Sequence, residues 1–131
     1  MAAMTGHYDS RYLQGIDYFN RHAFFHAHEV WEELWHDTHG PGRPFYQGLI
    51  QVAVCLHHFG NGNLRGALKL YHSATEHLRG YLPRHAGLDV AQLLEQLTVC
   101  CAPLLHDPEP GPRAKLDADR IPEIRLSPSG R

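Results

Sequence analysis

A histidine and two glutamates fall close together on one predicted helix. They form the run His28-Glu29-Val30-Trp31-Glu32. Residues four apart in a helix lie on the same side, so the His28 imidazole and the Glu32 carboxylate can approach one ion or one another. An imidazole with a carboxylate suits zinc, iron(II) or manganese. The spacing therefore predicts a divalent-metal site with His28 and Glu32 as ligands.

The same run is similar to the zincin pattern His-Glu-x-x-His, in which the two histidines bind zinc and the glutamate is the general base. Glu32 stands in the place of the second histidine, and Glu29 stands in the place of the catalytic base. Because the pattern then lacks a ligand, we assign His58 as the third. Metal-dependent hydrolysis is thus a hypothesis that goes one step beyond metal binding.

Polar residues also interrupt the next predicted helix. Gln47, Gln51 and His58 recur at i, i+4 and i+11 in a segment that is otherwise largely apolar. Polar groups in a buried helix need hydrogen-bond partners, because an unpaired one costs about 1 to 3 kcal/mol. We therefore expect this polar stripe to face the acidic edge of the preceding helix, with the two glutamines orienting the ligands.

Two other interpretations explain the same residues. In the first, the polar groups form a network that only fixes helix register, with Gln51 or His58 donating to Glu32. In the second, Trp31 and Trp35 wall a pocket for a small molecule or peptide, which the neighbouring polar groups orient. A non-enzymatic structural or interaction module therefore stays open beside a metal-binding or ligand-binding protein.

Helices must position all of these residues. Apolar residues recur every three or four positions as far as His106, and no convincing strand alternation is present. Short connections favour antiparallel neighbours, so the sequence predicts an all-α protein, a compact bundle of about five helices. The predicted helices run from about Ser10 to Arg21, Ala23 to Asp37, Pro44 to Gly60, Asn63 to Tyr81 and Asp89 to His106.

The connection between the third and fourth helices has a structural interpretation. Gly62 turns the chain, Asn63 caps the fourth helix, and Gly66 lets a neighbouring helix approach closely. A phosphate-binding loop is the weaker interpretation, because no strand precedes these residues and they include no lysine.

Prolines mark a change of composition near the C-terminus. Pro108, Pro110, Pro112, Pro122 and Pro128 all follow His106. We predict a helical bundle domain at 1–106 and an extended, irregular, proline-rich tail at 107–131. The stretch 121–126 is apolar enough to dock on the bundle.

Length and charge exclude several classes of protein. A chain of 131 residues is about the size of one domain, and a net charge of -2 argues against nucleic acid as a partner. The longest strictly apolar run, 52–56, is far shorter than a membrane helix. Three cysteines without a C-x-x-C pair favour a reducing cytoplasm, where they act as small hydrophobic residues. The remaining partners are a metal ion, a small molecule or a second copy in a homodimer.

Three ordered blocks of this sequence resemble the family catalogued as domain of unknown function 309, over roughly residues 10 to 105. The blocks are Phe19-Asn20 with His28-Glu29-Val30-Trp31-Glu32-Glu33-Leu34-Trp35, then Phe45-Tyr46-Gln47-Gly48-Leu49-Ile50-Gln51, then His58 with Gly62-Asn63-Leu64-Arg65-Gly66-Ala67. The resemblance implies a small all-helical protein of bacterial and archaeal cytoplasm and no established activity. The family's signature residues correspond to His28, Glu29, Glu32, Gln47, Gln51, His58 and Asn63. His22, His26 and His57 depart from that pattern.

Overall fold

A computed structural model describes residues 8–106 and 114–127 of the chain. These residues form six α-helices, a two-stranded hairpin and one 3-10 helix at Ala118–Arg120. The predicted all-α class is confirmed. No helix within the described residues has the length and apolar composition to cross a bilayer. The elements are α1 Ser10–Asn20, α2 Phe24–Asp37, α3 Arg43–Gly60, α4 Leu64–Arg79, β1 Arg84–His85, β2 Leu88–Asp89, α5 Val90–Cys100 and α6 Ala102–Leu105.

The fifth predicted helix is divided in two. It ends at Cys100, and Ala102–Leu105 then forms the separate helix α6. Pro103 explains the break, because a proline has no N–H to continue the hydrogen-bond ladder and is tolerated only in the first turn of a helix. Its position in the first turn of α6 satisfies that condition.

A small hairpin joins α4 to α5, which the sequence did not predict. Strands of two residues are too short to show an alternating pattern. Ala86 and Gly87 between them have positive φ angles of 49° and 76°, as the tightest hairpin turns require. The hydroxyl of Tyr12 donates to the Ala86 carbonyl at 2.9 Å, which fastens the turn to α1.

Helices α1 to α4 pack as consecutive antiparallel neighbours. Arg11 at the start of α1 pairs with Asp37 at the end of α2, with 2.7 Å between Nη1 and Oδ2. Phe25 near the start of α2 contacts His57 near the end of α3, with ring centroids 5.6 Å apart. Helix α3 therefore lies between α2 and α4, which explains why most of its surface is apolar.

Two glycines allow the close helix contacts of this core. A Cβ atom at Gly15 would overlap the indole ring of Trp31, which is fully buried. The Trp31 Nε1–H donates to the backbone oxygen of Tyr12 at 3.2 Å. A Cβ atom at Gly48 would lie 2.7 Å from Cγ of Leu78, so this glycine sets the approach of α4 to α3.

Helix α3 ends in a Schellman motif that leads into the cap of α4. Gly62 has a φ of 80°, and the N–H of Asn63 donates to the His58 carbonyl at 2.8 Å. The Asn63 side chain accepts from the N–H of Gly66 at 3.1 Å, which confirms Asn63 as the cap. A Cβ atom at Gly66 would lie 2.6 Å from Asn63 Nδ2, so this glycine makes room for the cap of α4. Its predicted role in the close approach of a neighbouring helix stays a prediction.

The described part of the tail, 114–127, docks on the bundle. Asn20 Nδ2 donates to the Ile124 carbonyl at 2.8 Å, and Asn20 Oδ1 accepts from the Ile124 N–H at 2.9 Å. The Ile124 side chain is buried, and the N–H of Ser127 donates to the Gly87 carbonyl at 2.8 Å. The predicted domain boundary falls beside 107–113, outside the described residues.

Asn20→Ala is expected to release this tail. Losing both hydrogen bonds to Ile124 should lower the free energy of unfolding by about 1 to 3 kcal/mol, measured by urea denaturation. The Ile124 amide should also exchange with solvent faster. Gln14→Ala, at an exposed position of α1, is the matched control. Unchanged stability together with a still protected Ile124 amide would contradict the clamp.

Candidate functional site

The exposed edge of α2 carries the predicted metal ligands. Phe24, Ala27, Trp31 and Leu34 are buried at helical spacing, so the opposite side of α2 faces solvent. His28 lies at the boundary with a side chain 22% exposed, whereas the Glu32 side chain is 57% exposed. His28 Nε2 lies 3.2 Å from Glu32 Oε2. The predicted approach of these two groups is therefore present.

Packing, and not a second hydrogen bond, orients the His28 ring. Its Nδ1 atom is buried, and none of the described residues offers it a hydrogen-bond partner. The ring of Phe25 lies 5.4 Å from the His28 ring, and the same Phe25 ring contacts His57. Phe25 is 50% exposed, so an apolar ring and an imidazole lie side by side at the surface.

The hydrogen-bond partners known for the polar stripe of α3 belong to α4 and its cap. The expected contact of this stripe with α2 was therefore wrong. Gln51 Oε1 lies 2.9 Å from Nδ1 of His77 on α4. That nitrogen also lies 2.9 Å from the carbonyl oxygen of Ser73. Because both neighbours are acceptors, His77 Nδ1 carries the proton and donates to them. Gln51 is thus a bridge between α3 and α4, while Gln47 is half-buried on the same stripe.

His58 supports the cap of α4. Its Nδ1 lies 3.2 Å from Nδ2 of Asn63, whose amide N–H is the donor. The other atom of that amide, Oδ1, accepts from Gly66. His58 is therefore engaged with the cap of α4, and within the described residues the structure does not bring it to His28 and Glu32 as a third ligand.

Within the described residues, other side chains cover the two tryptophans. Trp31 is fully buried and belongs to the core. Trp35 is partly buried, and the guanidinium of Arg43 lies 4.0 Å above its ring. Arg43 Nε also donates to the Trp35 carbonyl at 3.2 Å. A cation covering a ring in this way stabilises it and occupies the surface that a ligand would need.

Of the predicted metal-site residues, the structure brings together His28 and Glu32. Glu29 is exposed on the same helix. Within residues 8–106 and 114–127, no group of three or more histidine, cysteine, aspartate or glutamate side chains is arranged to hold a metal ion. At the edge of α2, which is open to solvent, the geometry therefore provides two possible metal ligands, His28 and Glu32.

The cysteines behave as apolar core residues. Cys55, Cys100 and Cys101 are all buried, and the sulfurs of Cys55 and Cys101 lie 3.9 Å apart. A hydrogen bond with Cys101 and burial raise the pKa of the Cys100 thiol. The thiolate that a nucleophile requires is therefore disfavoured.

The structure also contains a cleft that the sequence did not predict. It has a volume of about 340 Å³ and opens between the end of α1, the end of α3 and the docked tail. No periodic pattern reveals it, because one of its walls comes from a segment distant in sequence. We call it the α1–α3 cleft; its lining residues are His22, Phe24, Leu56, His57, Gly60, Asn61, Leu116, Ala118 and Ile121.

Comparison with known proteins gives one match. Residues 12–70 match the family model described as "Domain of unknown function (DUF309)". This match confirms the resemblance seen in the sequence, and it spans the α2 edge and the polar stripe of α3. No curated protein and no solved structure matches the chain.

Proposed function

Residues 12–70 of this chain match the DUF309 family model, and from that premise we propose that the protein reversibly binds a divalent transition-metal cation at the α2 edge. His28 Nε2 and Glu32 Oε2 are the protein ligands. The family description states no activity, so the proposal depends on the geometry of these two groups. Zinc, iron(II) and manganese are the cations that this nitrogen and oxygen pair suits.

The distance between the two ligand atoms carries the proposal. Nε2 and Oε2 lie 3.2 Å apart. Ligands about 2.0 to 2.2 Å from a metal ion lie roughly 3.0 to 3.5 Å apart when they are neighbours in an octahedral or tetrahedral shell. A cation can therefore be bound by His28 Nε2 and Glu32 Oε2 with little movement of either side chain.

We expect this binding to be reversible, because the pair lies at the solvent-exposed edge of α2. Glu32 is open to solvent, so a hydrated cation can reach it. Two protein ligands leave the other coordination positions to water, whereas structural zinc sites use four protein ligands. Within the described part of the chain, no acceptor bonds to His28 Nδ1, whereas such an acceptor usually strengthens a histidine ligand. We therefore expect affinity well below that of a structural zinc site.

Metal-dependent hydrolysis is a further step within this proposal. Water molecules on the cation would be the source of the nucleophile. Glu29, exposed on the same helix three residues before Glu32, is the carboxylate available as general base. The substitution Glu29→Gln should then abolish hydrolysis and leave metal affinity unchanged.

A structural role is the second candidate for the polar stripe of α3. Gln51 bonds to His77, and His58 bonds to the Asn63 cap. Both contacts join α3 to the start or the body of α4. These residues can therefore hold two helices in register whether or not α2 binds a metal.

A titration with Mn²⁺ tests the metal proposal. Chelator-treated protein without a histidine tag should show saturable broadening of ¹H–¹⁵N signals centred on residues 28–32, because Mn²⁺ broadens nearby nuclei. His28→Ala should weaken the binding at least tenfold, about 1.4 kcal/mol. His26→Ala, an exposed histidine on the same helix, should leave it unchanged. Broadening centred elsewhere, or equal affinity in His28→Ala, would overturn the proposal.

A further inference from the structure

Helix α1 ends in the same motif as α3, but with a histidine where α3 has glycine. The N–H of Ala23 donates to the Tyr18 carbonyl and the N–H of His22 donates to Phe19, both at 2.9 Å. His22 has a φ of 64°, beside 80° for Gly62 at the equivalent position of α3. Left-handed backbone strains residues that have a Cβ atom, and glycine avoids that strain. The chain thus holds an imidazole at a place where glycine would fold better.

The His22 ring is a wall of the α1–α3 cleft. It stacks on Phe24 with ring centroids 5.7 Å apart and an interplanar angle of 17°. Both residues line the cleft. Residues with strained backbone are concentrated at binding sites, where the surrounding structure holds the strained conformation and the side chain serves the site. Here the two rings line the cleft as a nearly parallel pair.

The lining residues define the chemistry of the ligand. Asn61 Nδ2 lies 3.2 Å from Nε2 of His57, and because the amide N–H donates, the free ring proton of His57 is on Nδ1. None of the described residues donates a hydrogen bond to Asn61 Oδ1, so this oxygen is the acceptor that the cleft offers. Leu56, Leu116 and the neighbouring aliphatic residues supply apolar walls. None of the lining residues in the described chain is Lys, Arg, Asp or Glu.

We propose that the α1–α3 cleft binds an uncharged, flat, bicyclic aromatic molecule that carries an N–H or O–H group. Flat rings match the His22 and Phe24 stack, and the ligand's N–H or O–H donates to Asn61. A closed cavity of about 150 Å³ holds one benzene ring, so about 340 Å³ accepts two fused rings. The cleft shares no residue with the His28 and Glu32 pair, so this proposal is independent of metal binding.

Indole is the probe, and the full chain is titrated with it and followed by ¹H–¹⁵N spectra. We expect saturable shifts confined to amides around 22–24 and 56–61. Naphthalene-2-sulfonate, of similar size but charged, and cyclohexanol, which is not flat, should each bind at least fivefold more weakly. These comparisons separate recognition of a flat neutral ring from general apolar adsorption.

His22→Gly is the decisive variant, because it removes the ring and keeps the backbone conformation. It should raise the melting temperature by a few degrees and weaken indole binding at least fivefold. Ala86→Gly is the matched control, since Ala86 is the other described residue with a Cβ atom and a positive φ, and it lies in the hairpin. That variant should leave indole binding unchanged. No saturable indole binding up to millimolar concentration, or full affinity in His22→Gly, would overturn the proposal.

Discussion

Gly15→Ala is expected to lower the free energy of unfolding by at least about 2 kcal/mol, although alanine is the better helix former. Alanine in a helix interior is favoured over glycine by about 1 kcal/mol. The added methyl group would overlap the indole ring of Trp31, which is fully buried and cannot move into solvent. Overpacking a rigid core costs about 1 to 3 kcal/mol or more, and the Trp31 hydrogen bond to Tyr12 would also be strained.

Urea denaturation followed by far-UV circular dichroism measures this effect. Gly80→Ala is the matched control, because a Cβ at Gly80 has its nearest neighbour at an ordinary 3.8 Å. The control should change stability by no more than about 0.5 kcal/mol. If Gly15→Ala were instead as stable as the parent protein, the packing of Trp31 against α1 would be incorrect.

Gly48→Ala is also expected to lower the free energy of unfolding, by about 1 to 3 kcal/mol, because the added methyl group pushes α4 away from α3. Its Cβ would lie 2.7 Å from two carbon atoms of Leu78, which is fully buried. The Gln51 bridge to His77 lies one turn further along the same interface. We therefore expect this hydrogen bond to lengthen or break in the variant.

Two measurements together test the second prediction. Urea denaturation reports the stability, and the His77 Nδ1–H proton signal, visible only while it is protected from solvent, reports the bridge. Gln51→Ala removes the same bridge without the clash and should cost only about 1 kcal/mol. A gain in stability on Gly48→Ala, as helix propensity alone predicts, would show that α3 and α4 are further apart than described.

Local signals were sufficient to predict the first four helices to within about two residues at each end, and the start of the fifth. The apolar spacing that buries Phe24, Trp31 and Leu34 is a property of one helix and needs no partner to be recognised. Asn63 and Asp89 cap their helices through hydrogen bonds that span three residues. The approach of His28 to Glu32 also lies within one helix, which is why i, i+4 spacing predicted it.

Contacts between elements could not be predicted in the same way. Periodicity gives the angle of Gln51 around the axis of α3. Helices α2 and α4 flank that side of α3, so periodicity cannot say which of them Gln51 contacts. Only the packing makes His77, and not Glu32, the hydrogen-bond partner of Gln51. Gly15 and Gly48 are likewise explained by side chains of other helices, which would overlap a Cβ atom at either position.

By itself the sequence determined the all-α class, the approximate bounds of the first four helices, the resemblance to a family over residues 12–70, and the pairing of two side chains one turn apart. The tertiary structure alone decided which residues share a surface: it left His58 with a helix cap, buried Trp31, and brought His22, His57 and the tail together around a cleft. The physical reason is the distance along the chain over which each kind of interaction acts. Backbone hydrogen bonds and helical spacing act over a few residues, whereas the packing of close-fitting side chains depends on every neighbour at once.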